Sequence, residues 1–558
     1  MAFRFSAYAS HRALHMDMYR DRVPGSFITR QPDPRPPASP ILRNTGCGIL
    51  CGVLFSLLVT QASAQDAPAS PPHQLFAFSP VIPSDVDSGQ IGTLMKESKV
   101  AQAQRAFDVF SWQQFLAMNW PTGEQGKSAP GITDTAFGPP AWLRWHESSE
   151  VFREGGQPPA PGELLTVKPS RQAVTWRHGV ALGSLSTTDR STRVLSTVSA
   201  TQKLTSLDDT QQAFSHPIWD QNGNVVFYEI LLNDAETQYI VQNKLYSLDG
   251  QIAFASNHNA INLPAGIFND TKQVGAIELK LAWKVLDAAA GDSAQRYFTS
   301  QAVVLDADKS WRKVTVGLVG MHISHKTGSS PQWVWSTFEH VDNLQVNSLD
   351  TVTVGGKEQS LRASFNNADC ETCLVNTYPP AQDAATGKKR TQIARAVPIP
   401  DATRQLNEQV QSKLREIKSV WQYYELINTQ WPTDPSAPAT TPGPDTLPGS
   451  VENKSGGKPT PVFLTNSVME TYFQGGNQKV STQEQGSPAG PKERLFATES
   501  CMGCHYSAGI ANSFTTSPNG TKTAVFSGPT TSDFSWLFQK RAEFQPYSTS
   551  DIQTQPAP

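Results

Sequence analysis

Charge is scarce in this chain. Only 17% of its 558 residues are charged, and the formal net charge is −3. That leaves no basic field for nucleic acid, which is excluded as a partner. Cysteine is scarce too, six in all, which rules out a disulfide-dense scaffold. No apolar run approaches the roughly 20 residues of a membrane-spanning helix. The patterns H-E-x-x-H, G-x-S-x-G, the P-loop and the dinucleotide fingerprint are missing, and no repeat of fixed period occurs. No Met and no His follow His505. What is present is 41 Pro, 38 Gly and 13 Trp in a chain that is 38% hydrophobic. Such a chain is loop-rich but able to build a large core.

Against that background one short stretch is specific: Cys501-Met502-Gly503-Cys504-His505. C-x-x-C-H is the attachment signature of a c-type haem. Two thiols at this spacing add across the two porphyrin vinyl groups. The adjoining His505 is then placed under the iron as proximal ligand. A zinc site would need further Cys or His nearby, and the closest other cysteine is Cys373. The motif predicts one haem c, bound through Cys501 and Cys504.

The N-terminus agrees. Arg43 is followed by an apolar run from Gly48 to Val59 and then by Ala62-Ser63-Ala64. A basic residue, a short apolar core and a small-x-small site make a secretory signal peptide, with cleavage expected after Ala64. The mature protein is then periplasmic or secreted, without a membrane span. Cys47 and Cys51 leave with the signal. Cys370 and Cys373 remain, in a C-x-x-C without the following His and just before Tyr378-Pro379-Pro380. In an oxidising compartment this reads as a disulfide in a loop; a thioredoxin-like redox pair is the alternative.

The expected organisation is a leader and signal peptide (1–64), a linker (65–74), a β-rich main domain (75–431), a Pro/Thr/Gly-rich linker (432–461), a haem c module (462–546) and a tail (547–558). Met95 to Trp120 has helical spacing, with Trp112 and Met118 as core residues. Runs at 224–232, 276–285, 297–305 and 314–323 read as strands separated by turns, with Asp249-Gly250 as a hairpin turn. Ala402 to Thr429 reads as a helix. In the haem module, helices are expected at Ser467–Gln474, Glu493–Ile510 and Asp533–Phe544. The fold class is therefore α+β. A largely antiparallel sheet or sandwich carries flanking helices, and a small helical cytochrome-c-like module follows at the C-terminus.

With no Met or His beyond His505, a sixth iron ligand must come from upstream, or the site is open. Met469 is the nearest candidate. His322 and His340 are weaker ones, from the His-rich stretches Met321–His325 and Gln332–His340. On strands, His322 shares a face with Gly320 and Ser324, while His325 points the other way; His340 shares its face with Val334 and Phe338. His322 and His340 could meet there, or both could simply be hydrogen-bonded core histidines.

The Cys501–His505 motif resembles the c-type cytochromes. More widely, Phe110 to Pro121, Trp333 to Asn343 and Met469-Glu470-Thr471-Tyr472 look like a group of large exported bacterial cytochrome c family proteins. That resemblance implies haem binding in a periplasm and no particular substrate. Three functions follow as expectations: electron transfer to a redox partner protein, a haem-dependent oxidoreductase acting on a small molecule in the large domain, or a haem-based sensor.

Overall fold

The strand Ile277–Val285 shows how the sheet is made. Its odd positions, Ile277, Leu279, Leu281 and Trp283, are fully buried, while Glu278, Lys280 and Lys284 alternate with them. Period-two alternation sends these two sets to opposite faces. In the computed structural model the described residues are 75–123, 125–159, 176–177, 180–181, 193–196, 216–305, 311–346, 351–354, 356–370, 373–379, 387–439, 455–474, 480–482, 492–494 and 500–546. All of them belong to the unit His73–Pro558. The expected leader, signal peptide, first linker and tail lie outside the described residues, as does the middle of the second linker.

Among the described residues, nine strands form the main sheet. They are β1 (His146–Glu147), β2 (Arg193–Ser196), β3 (Val226–Leu232), β4 (Ile277–Val285), β5 (Thr299–Leu305), β6 (Trp311–His325), β7 (Val334–His340), β8 (Tyr424–Pro432) and β9 (Pro459–Thr460). The order is β1-β3-β4-β6-β7-β8-β9, antiparallel throughout; β5 adds to the first half of β6, and β2 pairs β5 in parallel. The protein is thus α+β with a largely antiparallel sheet.

Helices cover one face of this sheet. After α1 (Ser88–Lys96), Ser98 adopts a φ of 57° and breaks the run, and α2 (Val100–Met118) follows. Trp112, Phe115, Leu116 and Met118 of α2 pack with Leu279, Leu281, Met321 and Phe338 of the sheet. Leu406, Val410 and Leu414 of a later helix, α5 (Asp401–Glu416), complete this core. Three expectations need correction. The helix expected to Thr429 stops at Glu416; Lys418 turns at a φ of 55°, and Tyr424–Pro432 becomes β8. The three-four rhythm there coincides with a strand whose Leu426 and Tyr424 fill the sheet core. Asp249-Gly250 is not a hairpin turn. It opens α4 (Leu248–Ala255), because the Ser247 hydroxyl accepts from Gly250 N at 3.1 Å and caps a helix. It follows α3 (Asp234–Gln242).

The third correction concerns the C-terminal segment. Residues 467–474 make only a short 3-10 turn at Thr471–Phe473. Among the described residues of the helices expected over 493–510 and 533–544, Lys492–Arg494 is a strand and only α6 (Cys501–His505) and α7 (Leu537–Lys540) are α-helical. Between them the alternating β-branched stretch forms a hairpin, Ala511–Thr516 with Lys522–Phe526. Met502, Ile510, Phe534 and Phe538 share one hydrophobic cluster with Leu232, Trp333 and Trp335 of the sheet region. The second face of the sheet therefore meets the segment that carries C-x-x-C-H.

Candidate functional site

The five-residue helix α6 is fixed before any side-chain chemistry is considered. Ser500 caps it by accepting from Gly503 N at 3.1 Å. Gln430 of β8 accepts from Met502 N at 2.8 Å and donates to Pro461 O at 2.7 Å, tying the helix start to the sheet. Met502 is fully buried against the aromatic cluster. Positions i, i+3 and i+4 of a helix share a face. Cys501, Cys504 and His505 hold those positions, and all three are partly accessible. Neither cysteine is in a disulfide.

The His505 ring is held from behind. Its Nδ1 donates to the Phe534 carbonyl at 2.7 Å, and the Trp335 ring lies 4.5 Å away. Nε2 has no hydrogen-bond partner among the described residues. Burial pushes its pKa down to about 4, against the pull of the Phe534 bond; the charges of His322 and Lys280 add to the downward shift. A neutral imidazole with Nδ1 bonded to a carbonyl and Nε2 free is the form that ligates a metal. The carbonyl is aimed by an unusual turn. Asp533 and Phe534 both take left-handed φ, 53° and 67°. Asp533 is anchored by Lys326 Nζ at 2.6 Å and by Leu263 N at 2.7 Å.

In front of this assembly lies the polar side of the sheet. Lys280 and His322 are paired in register between β4 and β6, and His322 and Thr337 between β6 and β7. His322 Nε2 donates to Glu470 at 3.0 Å. Burial works against the Glu470 carboxylate, yet His322 and Lys280 hold its pKa below the usual value. His322, Lys280 and Glu470 are all within electrostatic reach of His505.

The expected ligands separate. His322 stands on the same sheet face as the motif. His340 does not: its ring stacks on Tyr297 at 4.0 Å, and its Nε2 donates to Arg296 O at 2.9 Å on the other face. His322 and His340 therefore do not meet, because His322 is opposite Thr337, an odd number of residues from His340. Met469 is fully buried with Tyr228, Ala282 and Val319, its methyl 3.2 Å from where a Cβ on Gly320 would stand. That cluster is separate from the one around Met502. Cys370 and Cys373 have sulfurs 2.01 Å apart, at disulfide distance, in a loop. Among the described residues no group of three or more Cys, His, Asp or Glu could hold a bare metal ion.

Sequence reasoning missed Gln430, Phe534, Asp533, Lys326 and Lys280. Only Lys280 left a signal, as a charge at an even position of an otherwise buried strand. No family model, curated protein or solved structure matches this chain.

Proposed function

We propose that the protein is a periplasmic, exported mono-haem c protein that takes part in electron transfer. Cys501 and Cys504 would hold the haem covalently and His505 would be its proximal ligand. The observation that carries this reading is His505 itself: Nδ1 fixed on Phe534 O at 2.7 Å, Nε2 free, and two thiols outside any disulfide on the same helix face. Haem iron so held supplies a one-electron centre. The chain's own contribution is to orient His505, to keep it neutral and to bury the helix side opposite the thiols.

Haem staining of the protein on a denaturing gel tests the proposal. The native chain should stain, and the Cys501→Ala/Cys504→Ala variant should not. Staining that persists in the double variant, or a native chain without stain, defeats it.

A second reading, a haem-dependent oxidoreductase, is favoured by the His322–Glu470 pair within reach of His505. A hydrogen-bonded imidazole and carboxylate can move a proton at a substrate. Carbon monoxide separates the two. A reduced spectrum indifferent to it fits electron transfer, and a shifted one fits an open site. His322→Ala and Met469→Ala then assign the sixth ligand.

A further inference from the structure

Among the described residues, Lys284 and Lys326 are buried and Lys280 is half-buried. Two are matched. Lys284 Nζ lies 2.5 Å from Asp292 and 3.0 Å from Ser364. Lys326 Nζ lies 2.6 Å from Asp533. The third, Lys280, has no hydrogen bond or ion pair among the described residues; its ammonium stands 5.2 Å above the Tyr228 ring. Glu470 is within electrostatic reach, but its carboxylate is engaged by His322 at 3.0 Å and by Asn466 N at 2.8 Å.

An ammonium away from bulk water is costly unless an anion accompanies it. Burial accordingly pushes the Lys280 pKa down, with Glu470 and Cys504 pulling it back only in part. The groups facing it are Tyr228 from β3, His322 from β6, Glu470 from the 466–471 turn, and Cys504 from α6. Among the described residues, one ammonium thus stands beside the Cys501–His505 helix without a directly bonded anion, in a partly accessible residue.

We propose that Lys280 is the anchor of an oxyanion site on the sheet face beside the haem motif. Its ligand is a small planar oxyanion of the carboxylate type. Such a group has two sources: a propionate of the haem itself, or a free carboxylate or nitrite that approaches the haem. The site's placement beside the haem rests on the proposed function; the unmatched lysine does not.

The test compares the haem-loaded protein with Lys280→Met and Lys280→Arg. Thermal unfolding and the haem midpoint potential are followed while formate or nitrite is added, and resonance Raman records the propionate bending bands. A free oxyanion raises the unfolding temperature of the native chain with saturation, and Lys280→Met loses that response. A propionate gives no response to added anion. Instead, Lys280→Met lowers the midpoint potential and shifts the propionate bands, and Lys280→Arg restores both. Either pattern supports the site and names its source. The inference is overturned if Lys280→Met keeps the native potential, bands and anion response together. Should Lys280→Met not accumulate, Lys280→Gln removes the same charge for the same readings. A native chain that lacks haem yet binds formate through Lys280 would defeat the proposed function alone. One that lacks haem and does not respond to formate or nitrite would defeat both.

Discussion

Asp533 joins the interior lysine Lys326 to the turn that aims the Phe534 carbonyl at His505. Burial raises its pKa, opposed by Lys326 and by the Leu263 N–H. The Trp333 indole N–H, otherwise without a partner, also acts on this carboxylate and favours its charged form. Two consecutive left-handed residues persist only where surroundings over-determine them. Removing one member of a buried ion pair leaves the other uncompensated, at a cost of about 3–5 kcal/mol. Asp533→Ala should therefore lose about that much unfolding free energy in urea, whereas Asp533→Asn, which keeps the shape, should lose less. A negligible loss in Asp533→Asn, which removes the charge and keeps the shape, would show that the charge is unimportant. Gly320 makes a steric prediction on the same sheet face. A Cβ there would stand 3.0 Å from Val468 and 3.2 Å from Met469. Gly320→Val should cost about 1–3 kcal/mol by overpacking, and Gly320→Ala less, again by urea unfolding.

Elements differ in how plainly the sequence announces them. The helix 100–118 and the strand 277–285 were readable because each buries a side set with a single clean period. The strand 424–432 was not, because its core contacts come from α2 and α5, far away in sequence. The site was half legible for the same reason. Cys501, Cys504 and His505 are a local motif, whereas Gln430, Phe534 and Lys280 reach it only through tertiary pairing. α6 itself is too short to hold its shape alone, since isolated helices shorter than about 12 residues are marginal in water. Its persistence depends on Ser500 and Gln430. Ser500→Ala should destabilise this segment by about 1 kcal/mol. The measurement is hydrogen exchange of the Met502 and Gly503 amides, which should quicken while those of β4 stay protected. Uniform acceleration across both would refute a local role.

Over the whole molecule, buried ionisable groups of both kinds set the response to pH. His325 and His340 are held neutral by burial, their pKa pushed down to about 4. Their contribution to stability is complete above about 6.5 and is lost as pH falls toward 4, up to about 3 kcal/mol each. Asp108 and Glu425 have the opposite sign. Burial raises them to about 6 and about 7. Their contribution is complete below the ordinary carboxylate range and declines as pH rises through those values. Between about pH 4 and 6.5 the two slopes oppose each other. The native chain should show a shallow stability profile there. The Asp108→Asn/Glu425→Gln variant should lose stability steeply on acidification from 6.5 to 4, measured by urea unfolding at each pH. A variant as shallow as the native chain would contradict this balance.

The alternation in β4 and β6 has one more consequence, for how this protein can change over generations. Lys280 and His322 lie one residue from Leu281 and Ile323, and the two pairs serve opposite faces. A slip of a single residue would push an ammonium and an imidazole among the tryptophans and turn the aliphatic side chains toward the C-x-x-C-H helix. A lineage can therefore lengthen the loops between these strands freely. Inside the strands, a one-residue insertion or deletion is barred, and change must proceed by substitution in place. The charges beside the C-x-x-C-H helix and the aliphatic residues of the core are inherited as a single unit.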